Sequence, residues 1–174
     1  VQFAKMGSIY MENVMGIRNP RVAIVNIGAE EEKGNALVKE TYPLLKECKD
    51  INFIGNVEAR DIPYGACDVL VCDGFVGNTL LKLTEGLSAK MMDILKDMLT
   101  ASAVSKIGAV MLSGQLKELK KAFDYSEYGG APILGVRGPV IKIHGSSGAN
   151  AVKNAIIKGI PYVENNVVGI IRDS

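Results

Sequence analysis

Three short stretches carry side chains whose types and spacing could do chemistry. The first is Asn26-Ile-Gly-Ala-Glu-Glu-Glu-Lys-Gly-Asn35. Gly28 lets the chain turn, and Glu30 to Glu32 read as the opening of a helix, where carboxylates complement the helix dipole. Lys33 is then placed to reach back over a strand end and meet an anion, with Asn35 closing the loop. A solvated helix start with i,i+4 ion pairs accounts for the same residues. The second stretch is Asp73-Gly-Phe-Val-Gly-Asn-Thr-Leu-Leu-Lys82. Gly74 and Gly77 allow close backbone approach, and a helix beginning there presents N–H groups to an anion. Asn78 and Lys82 lie four apart, on one helix face. An amide and a cation suit a phosphate or a carbonyl rather than a divalent metal. An ordinary turn capped by Asp73 is the alternative. The third stretch is His144-Gly-Ser-Ser-Gly-Ala-Asn150, which holds the single histidine of the chain. Backbone amides and hydroxyls at a helix start make a phosphate nest, and His144 can serve as acid, base or oxyanion donor. A packing histidine beside a tight turn remains the other reading. A Ser-His hydrolase is disfavoured, because no G-x-S-x-G elbow occurs.

These stretches need elements to hold them. Phe3, Met6, Tyr10 and Val14 recur at helical spacing, so the chain opens in an amphipathic helix ending near Gly16. Arg21 to Ile27 is a β-branched run and predicts a buried strand. Residues 32 to 48 predict a helix with Val38, Tyr42, Leu44 and Leu45 on its apolar face, and Pro43 allows a kink or break. Ile51 to Val57 predicts a second strand, and Cys67 to Cys72 a third, the most buried. Continuous apolar strands alternating with helices mark a parallel sheet covered on both sides. Ligands gather at the carboxyl ends of such strands, where all three stretches are expected to fall. Val140 to Ile143 predicts a short strand before the His144 stretch. Helices are then expected from about Ala149 to Lys158 and from Pro161 onward.

From Asn78 to about Leu99 the pattern is helical, with Leu87, Met91, Leu95 and Met98 on one face. A second helix carries Leu112, Leu116, Leu119 and Phe123. Together they predict a projecting helical hairpin over 78–123, with a charge-poor tip around Thr100 to Gly108.

Composition narrows the function classes. The 174 residues carry 20 basic and 19 acidic side chains, a net charge of +1, which argues against nucleic acid as a partner held by bulk charge. At 48% hydrophobic the chain is an ordinary globular sequence rather than a disordered one. Cys48, Cys67 and Cys72 match no zinc spacing; Cys67 and Cys72, inside an apolar run, read as buried thiols, and the set reads as that of a reducing, cytoplasmic protein. No signal peptide and no spanning helix are recognisable. The chain opens Val-Gln-Phe-Ala-Lys, without an initiator Met.

The stretches VQFAKMGSIY, PRVAIVNIGAEEEKGNALVKETY, INFIGNVEARDI, DVLVCDGFVGNTLLKLTEG, DYSEYGGAPILGV and IKIHGSSGANAV together resemble the C-terminal part of the phosphate:acyl-carrier-protein acyltransferases, known as PlsX, the fatty acid and phospholipid synthesis proteins. The resemblance runs through nearly the whole chain in the family's order. It implies a three-layer α/β/α fold with a parallel-rich sheet, similar to the isocitrate and isopropylmalate dehydrogenases. It also implies that the family's N-terminal half, with its Asp-Ala-Met-Gly-Gly-Asp loop and Gly-Asn-Thr-Gly stretch, is absent. This chain alone is then expected to hold part of one α/β domain and to be inactive by itself.

The activity implied is transfer of an acyl group from acyl carrier protein to inorganic phosphate, with no cofactor. The acyl phosphate feeds a glycerol-3-phosphate acyltransferase in bacterial phospholipid synthesis. By this resemblance Lys33 and His144 are the catalytic candidates. Asn35, Asp73, Gly77, Asn78, Lys82, Gly145, Ser146 and Ser147 are the substrate-binding ones. In the similar dehydrogenases two metal-binding aspartates stand where Asn78 and Lys82 stand here, so no metal site is expected. The family is also homodimeric and peripherally membrane-associated. The hairpin's inner stripe is accordingly assigned to packing or dimerisation, and Val104, Ile107, Val110, Met111 and Leu112 beside Lys106 to shallow insertion in an anionic bilayer. Lys117, Lys120 and Lys121 are docking cations for the acidic acyl carrier protein, or an ordinary solvated face. A phosphotransacetylase-like enzyme using small acyl-coenzyme A, and a non-catalytic dimerising or membrane-binding fragment, are the competing functions.

Overall fold

The computed structural model describes residues 1–122, 130–145 and 147–174. In chain order the elements are α1 (Gln2–Asn13), β1 (Arg21–Asn26), α2 (Ala36–Glu47), β2 (Asn52–Glu58), a 3-10 turn (Ala59–Tyr64), β3 (Val69–Val71), α3 (Gly74–Thr100), α4 (Ala103–Met111), α5 (Ser113–Ala122), β4 (Ala131–Pro132), β5 (Ile141–Lys142), α6 (Ala149–Glu164) and α7 (Val167–Asp173). They divide into two compact units, Val1–Asp73 with Gly129–Ser174, and Gly74–Tyr128.

In the first unit β1 lies between β2 and β3, and both pairings are parallel. Helices flank this sheet, so the fold is α/β in the three-layer α/β/α manner. All of β1 after Arg21 is buried. Its Val, Ala and Ile residues suit a strand covered on both faces. Ala4, Val22, Ile24, Tyr42, Leu45 and Val71 form the core, with Val38, Ile51, Phe53 and Val69 packed around it. The Tyr42 ring meets Phe53 edge-on at 5.2 Å. The β1–β2 register shifts once: Val22 faces Phe53 and Ala23 faces Gly55. Ile54 is the extra residue of a bulge, and Gly55 takes a φ of +98° that a side chain would resist.

Several expected elements move. The parallel strand buried on both faces is β1, whereas β3 is only three residues long and mostly half-buried. Cys67 and Cys72 are half-buried rather than buried, and Cys48 is half-buried as well. In α1 the buried face is Ala4 and Ser8, not Phe3, which is exposed. A Cβ on Gly7 would stand 2.6 Å from Val69 Cγ1, so α1 lies close against β3 and only small residues fit between them. Helix α2 begins at Ala36 rather than at residue 32, because Gly34 has a φ of +105° and Asn35 caps the helix. Pro43 sits inside α2 without ending it. Its neighbours Tyr42 and Leu45 are anchored in the core, and their packing offsets the missing N–H bond, while Leu44 points outward.

Strand β5 pairs antiparallel with β4 and so lies outside the parallel ladder. Helix α6 runs through Pro161, the residue expected to open the last helix, and ends at Glu164. The reason is Tyr162, which is fully buried with its ring 6.2 Å from that of Tyr10 and pins this turn to α1. The break comes at Asn166, in the left-handed region, while Asn165 Nδ2 donates to the Asn13 carbonyl.

The second unit holds α3, α4 and α5. In place of the expected two-helix hairpin, three helices occur, because most of the charge-poor tip lies in α4. Ser102 caps α4 by accepting the Ser105 N–H at 3.0 Å. Helix α4 packs on α3, and α5 packs on α4. No residue of α3 or α4 is buried. Leu87, Met91, Met98 and Leu119 are exposed, and Leu95 and Leu116 half-buried. Phe123 lies outside the described residues.

The amino end of β1 is tied to the approach to β3 by one residue pair. Arg21 donates from its backbone N–H and from Nε to Asp68 Oδ2, at 2.8 and 3.0 Å, and from a guanidinium nitrogen to Oδ1 at 3.0 Å. The same guanidinium donates to the Ala66 and Gly65 carbonyls. The side-chain and backbone hydrogen bonds from Arg21 hold the Asp68 carboxyl below the usual carboxylate range. A depressed carboxyl stabilises the folded state above its unfolded pKa, and that contribution fades as pH falls toward the folded value. Thermal melts should therefore show an advantage of the parent over Asp68→Asn that is flat above about pH 5 and shrinks below about pH 4. An advantage unchanged down to about pH 2 would contradict the clamp.

Candidate functional site

The first stretch forms a loop at the carboxyl end of β1, and side-chain amides from two strands hold it. Asn26, the last residue of β1, is buried. Its Oδ1 accepts the Ile27 N–H at 2.8 Å and its Nδ2 donates to the Lys33 carbonyl at 3.0 Å. Asn56 of β2 donates from Nδ2 to the Glu30 carbonyl at 2.7 Å. The Lys33 N–H returns to that carbonyl at 3.2 Å. Asn35 Oδ1 accepts the Val38 N–H at 2.9 Å, so the structure gives Asn35 the task of capping α2.

The acidic triplet precedes the helix instead of opening it. Glu31 reaches across to Lys46 of α2 at 2.6 Å. The hydrogen bond from Lys46 lowers the Glu31 pKa and raises that of Lys46. Burial, followed by the Glu31 charge, pushes the Tyr42 hydroxyl up. Glu31 is thus committed to the scaffold. Lys33 is exposed, and its stem lies over Gly28: a Cβ there would stand 3.2 Å from Lys33 Cγ and 2.6 Å from Glu30 Oε2. A loop with a fixed backbone and an exposed ammonium can meet an anion.

Asp73 closes the first unit two residues after β3. Its charge adds to burial, the larger cause, in raising the Cys72 thiol pKa. In the second unit α3 begins at Gly74, four residues before the expected start, so Gly74, Gly77 and Asn78 are helical rather than in a loop. Asn78 and Lys82 are exposed on one face of α3, and Lys82 Nζ donates to Glu85 at 2.7 Å.

The third stretch is a turn between β5 and α6. The His144 carbonyl accepts the Ser147 N–H at 3.0 Å. His144 and Gly145 are exposed and Ser147 is half-buried, while Ser146 lies outside the described residues. Gly148 stands at the α6 N-cap without a side-chain cap. Because β5 belongs to the antiparallel pair, this turn does not share the parallel-sheet position of the Lys33 loop.

Lys33 and Asn35 share one loop, Asn78 and Lys82 share one helix face, and His144, Gly145 and Ser147 share one turn. Asn26 and Asn56 are the residues the spacing did not single out. The available signal was an asparagine ending a strand that is apolar from Val22 to Val25, immediately before a Gly-containing acidic loop: a buried amide there must find partners. Among the described residues no group of three or more His, Cys, Asp or Glu is placed to hold a metal ion. Among them, too, no helix is long and apolar enough to cross a membrane.

Comparison with known proteins adds to this geometry. The model of a family described as fatty acid synthesis protein matches residues 1–169. A phosphate acyltransferase of Clostridium perfringens (strain SM101 / Type A) is 56% identical over 173 residues, covering 99% of this chain and 51% of the relative. The phosphate acyltransferase of Brevibacillus brevis is 53% identical over 174 residues, covering 100% and 52%. That of Thermoanaerobacter pseudethanolicus is 52% identical over 173 residues, covering 99% and 52%. The chain thus spans about half the length of the curated relatives it matches. Matched along all but its last few residues, and carrying the Lys33 loop at the end of its buried central strand, the chain belongs to the fatty acid synthesis protein family.

Proposed function

We propose that these residues serve a phosphate acyltransferase that converts an acyl-acyl carrier protein and inorganic phosphate into an acyl phosphate for phospholipid synthesis. The observation that carries this reading is the Lys33 loop, whose backbone is held by two strand amides while its ammonium faces outward. The names of the relatives support the reaction class. On this reading activity belongs to the protein at its natural length.

In the proposed reaction a phosphate oxygen attacks the thioester carbon. A C–O bond forms and the carbonyl becomes a tetrahedral oxyanion. Collapse breaks the C–S bond, and the pantetheine thiolate leaves and takes up a proton. Lys33 neutralises charge on the attacking phosphate or the oxyanion. His144 supplies acid–base or oxyanion support. Asn35, Asp73, Gly77, Asn78, Lys82, Gly145, Ser146 and Ser147 are the proposed substrate-binding set. Within it Asn35 also caps α2, and Lys82 must exchange Glu85 for substrate. No metal or cofactor is assigned.

The second unit supports a lipid-facing role. Val104, Ile107, Val110, Met111 and Leu112 are all exposed on or beside α4, next to Lys106. We assign them to shallow insertion in an anionic bilayer, as a peripheral contact of a cytoplasmic protein. Of the hairpin's inner stripe, the exposed Leu87, Met91 and Leu119 are assigned to a homodimer contact. Lys117 and Lys121 are exposed and available to an acidic carrier protein, while the side chain of Lys120 lies outside the described residues.

Two experiments test these assignments. Lys33→Ala in the protein at its natural length should cut acyl-phosphate formation by about two orders of magnitude, as loss of one oxyanion contact does. Near-normal turnover removes Lys33 from the reaction. Val104→Glu combined with Ile107→Glu should weaken sedimentation with phosphatidylglycerol vesicles while leaving the circular dichroism spectrum intact. Unchanged sedimentation dismisses α4 as the anchor.

A further inference from the structure

The Lys33 loop raises a question of position. Ala29, Glu30, Glu31 and Glu32 are exposed, so no apolar side chain of that run anchors it. The loop is held instead by polar bonds to the sheet. Two of them come from carboxamides on neighbouring parallel strands. Asn26 holds the Lys33 carbonyl, and Asn56 holds the Glu30 carbonyl. The Lys33 N–H to Glu30 carbonyl bond closes the turn between these two points. Asn26 uses both ends of its amide, and its Oδ1 lies 2.7 Å from where a Cβ on Gly34 would stand. That space is closed to any residue but glycine, which leaves Lys33 clamped between a buried amide and a glycine. Asn56 Oδ1 is itself buried without a partner, a cost kept while Nδ2 serves the loop.

We propose that Asn26 and Asn56 are positioning residues for the reaction, fixing the backbone of residues 30 to 33 so that the Lys33 ammonium is presented in one place; the role rests on Lys33 acting on phosphate or the oxyanion. The chemistry requires an amide. An aspartate at position 26 keeps the acceptor for the Ile27 N–H but sets a second acceptor against the Lys33 carbonyl. The loop then loses its tie without loss of side-chain volume. Misplacing a catalytic group by a fraction of an ångström to one ångström costs rate rather than fold.

The test is a double-mutant cycle in the protein at its natural length, with inorganic phosphate and a long-chain acyl-acyl carrier protein as substrates. Asn26→Asp should lower kcat about tenfold with Lys33 present. In a Lys33→Ala background it should lower kcat less than about twofold, because a group acting through Lys33 has nothing left to position. Asn56→Ala, at the less buried site, should behave in the same way and serves if Asn26→Asp does not fold. A residue that merely stabilises the fold gives the same loss in both backgrounds, and that additivity overturns the proposal. Full activity of Asn26→Asp and Asn56→Ala with Lys33 present also overturns it. If Lys33→Ala alone costs nothing, the catalytic reading of Lys33 falls, and the positioning role with it. That pattern differs from the case in which Lys33→Ala is impaired and the asparagine variants are not. Amide hydrogen exchange at Lys33 supplies a readout independent of turnover: it should accelerate at least about tenfold in Asn26→Asp, and unchanged protection overturns the clamp.

Discussion

A strand covered on both faces must satisfy its backbone groups through neighbours on either side, because water cannot reach them. β1 meets this demand by parallel pairing with β2 and β3, and its side chains bind α1 and α2 into one core. The two ends of β1 then carry different burdens. At the amino end Arg21 ties the strand to Asp68 and to the carbonyls before β3. At the carboxyl end Asn26 turns a buried amide toward the loop that presents Lys33. One strand thus connects the hydrophobic core to the loop at which the chemistry is proposed.

The two units solve different problems. The sheet unit buries large residues such as Tyr162, Leu45 and Val22 almost completely. The helical unit leaves α3 and α4 without a buried residue, although their apolar residues are numerous. Helices of that composition in water gain little from their own packing and favour an apolar partner. The lipid contact proposed at α4 and the homodimer contact proposed along α3 would each cover part of this exposed apolar surface.

The parallel sheet was legible because a run such as RVAIVN can be buried on both faces in few other ways. Its capping chemistry was less so. Glu30 to Glu32 fit a helix start, yet Gly34 and Asn35 delay α2 to Ala36. Pro161 read as a first helical residue, but the burial of Tyr162 carries α6 past it. In α1 the large apolar residues defined a period, whereas the contact with β3 is made by Ala4, Gly7 and Ser8, since closeness selects small side chains. Lys33 was visible from its loop composition. The amides that hold it were not, because Asn26 and Asn56 reach their partners across gaps that only the fold closes.

The central claim is that phosphate itself accepts the acyl group. Its most direct test is to incubate the protein at its natural length with an acyl-acyl carrier protein and follow acyl phosphate by hydroxylamine trapping and released thiol in parallel, with and without inorganic phosphate. Both signals should rise together and only when phosphate is present. Thiol release that is independent of phosphate and leaves no trappable acyl phosphate would contradict it.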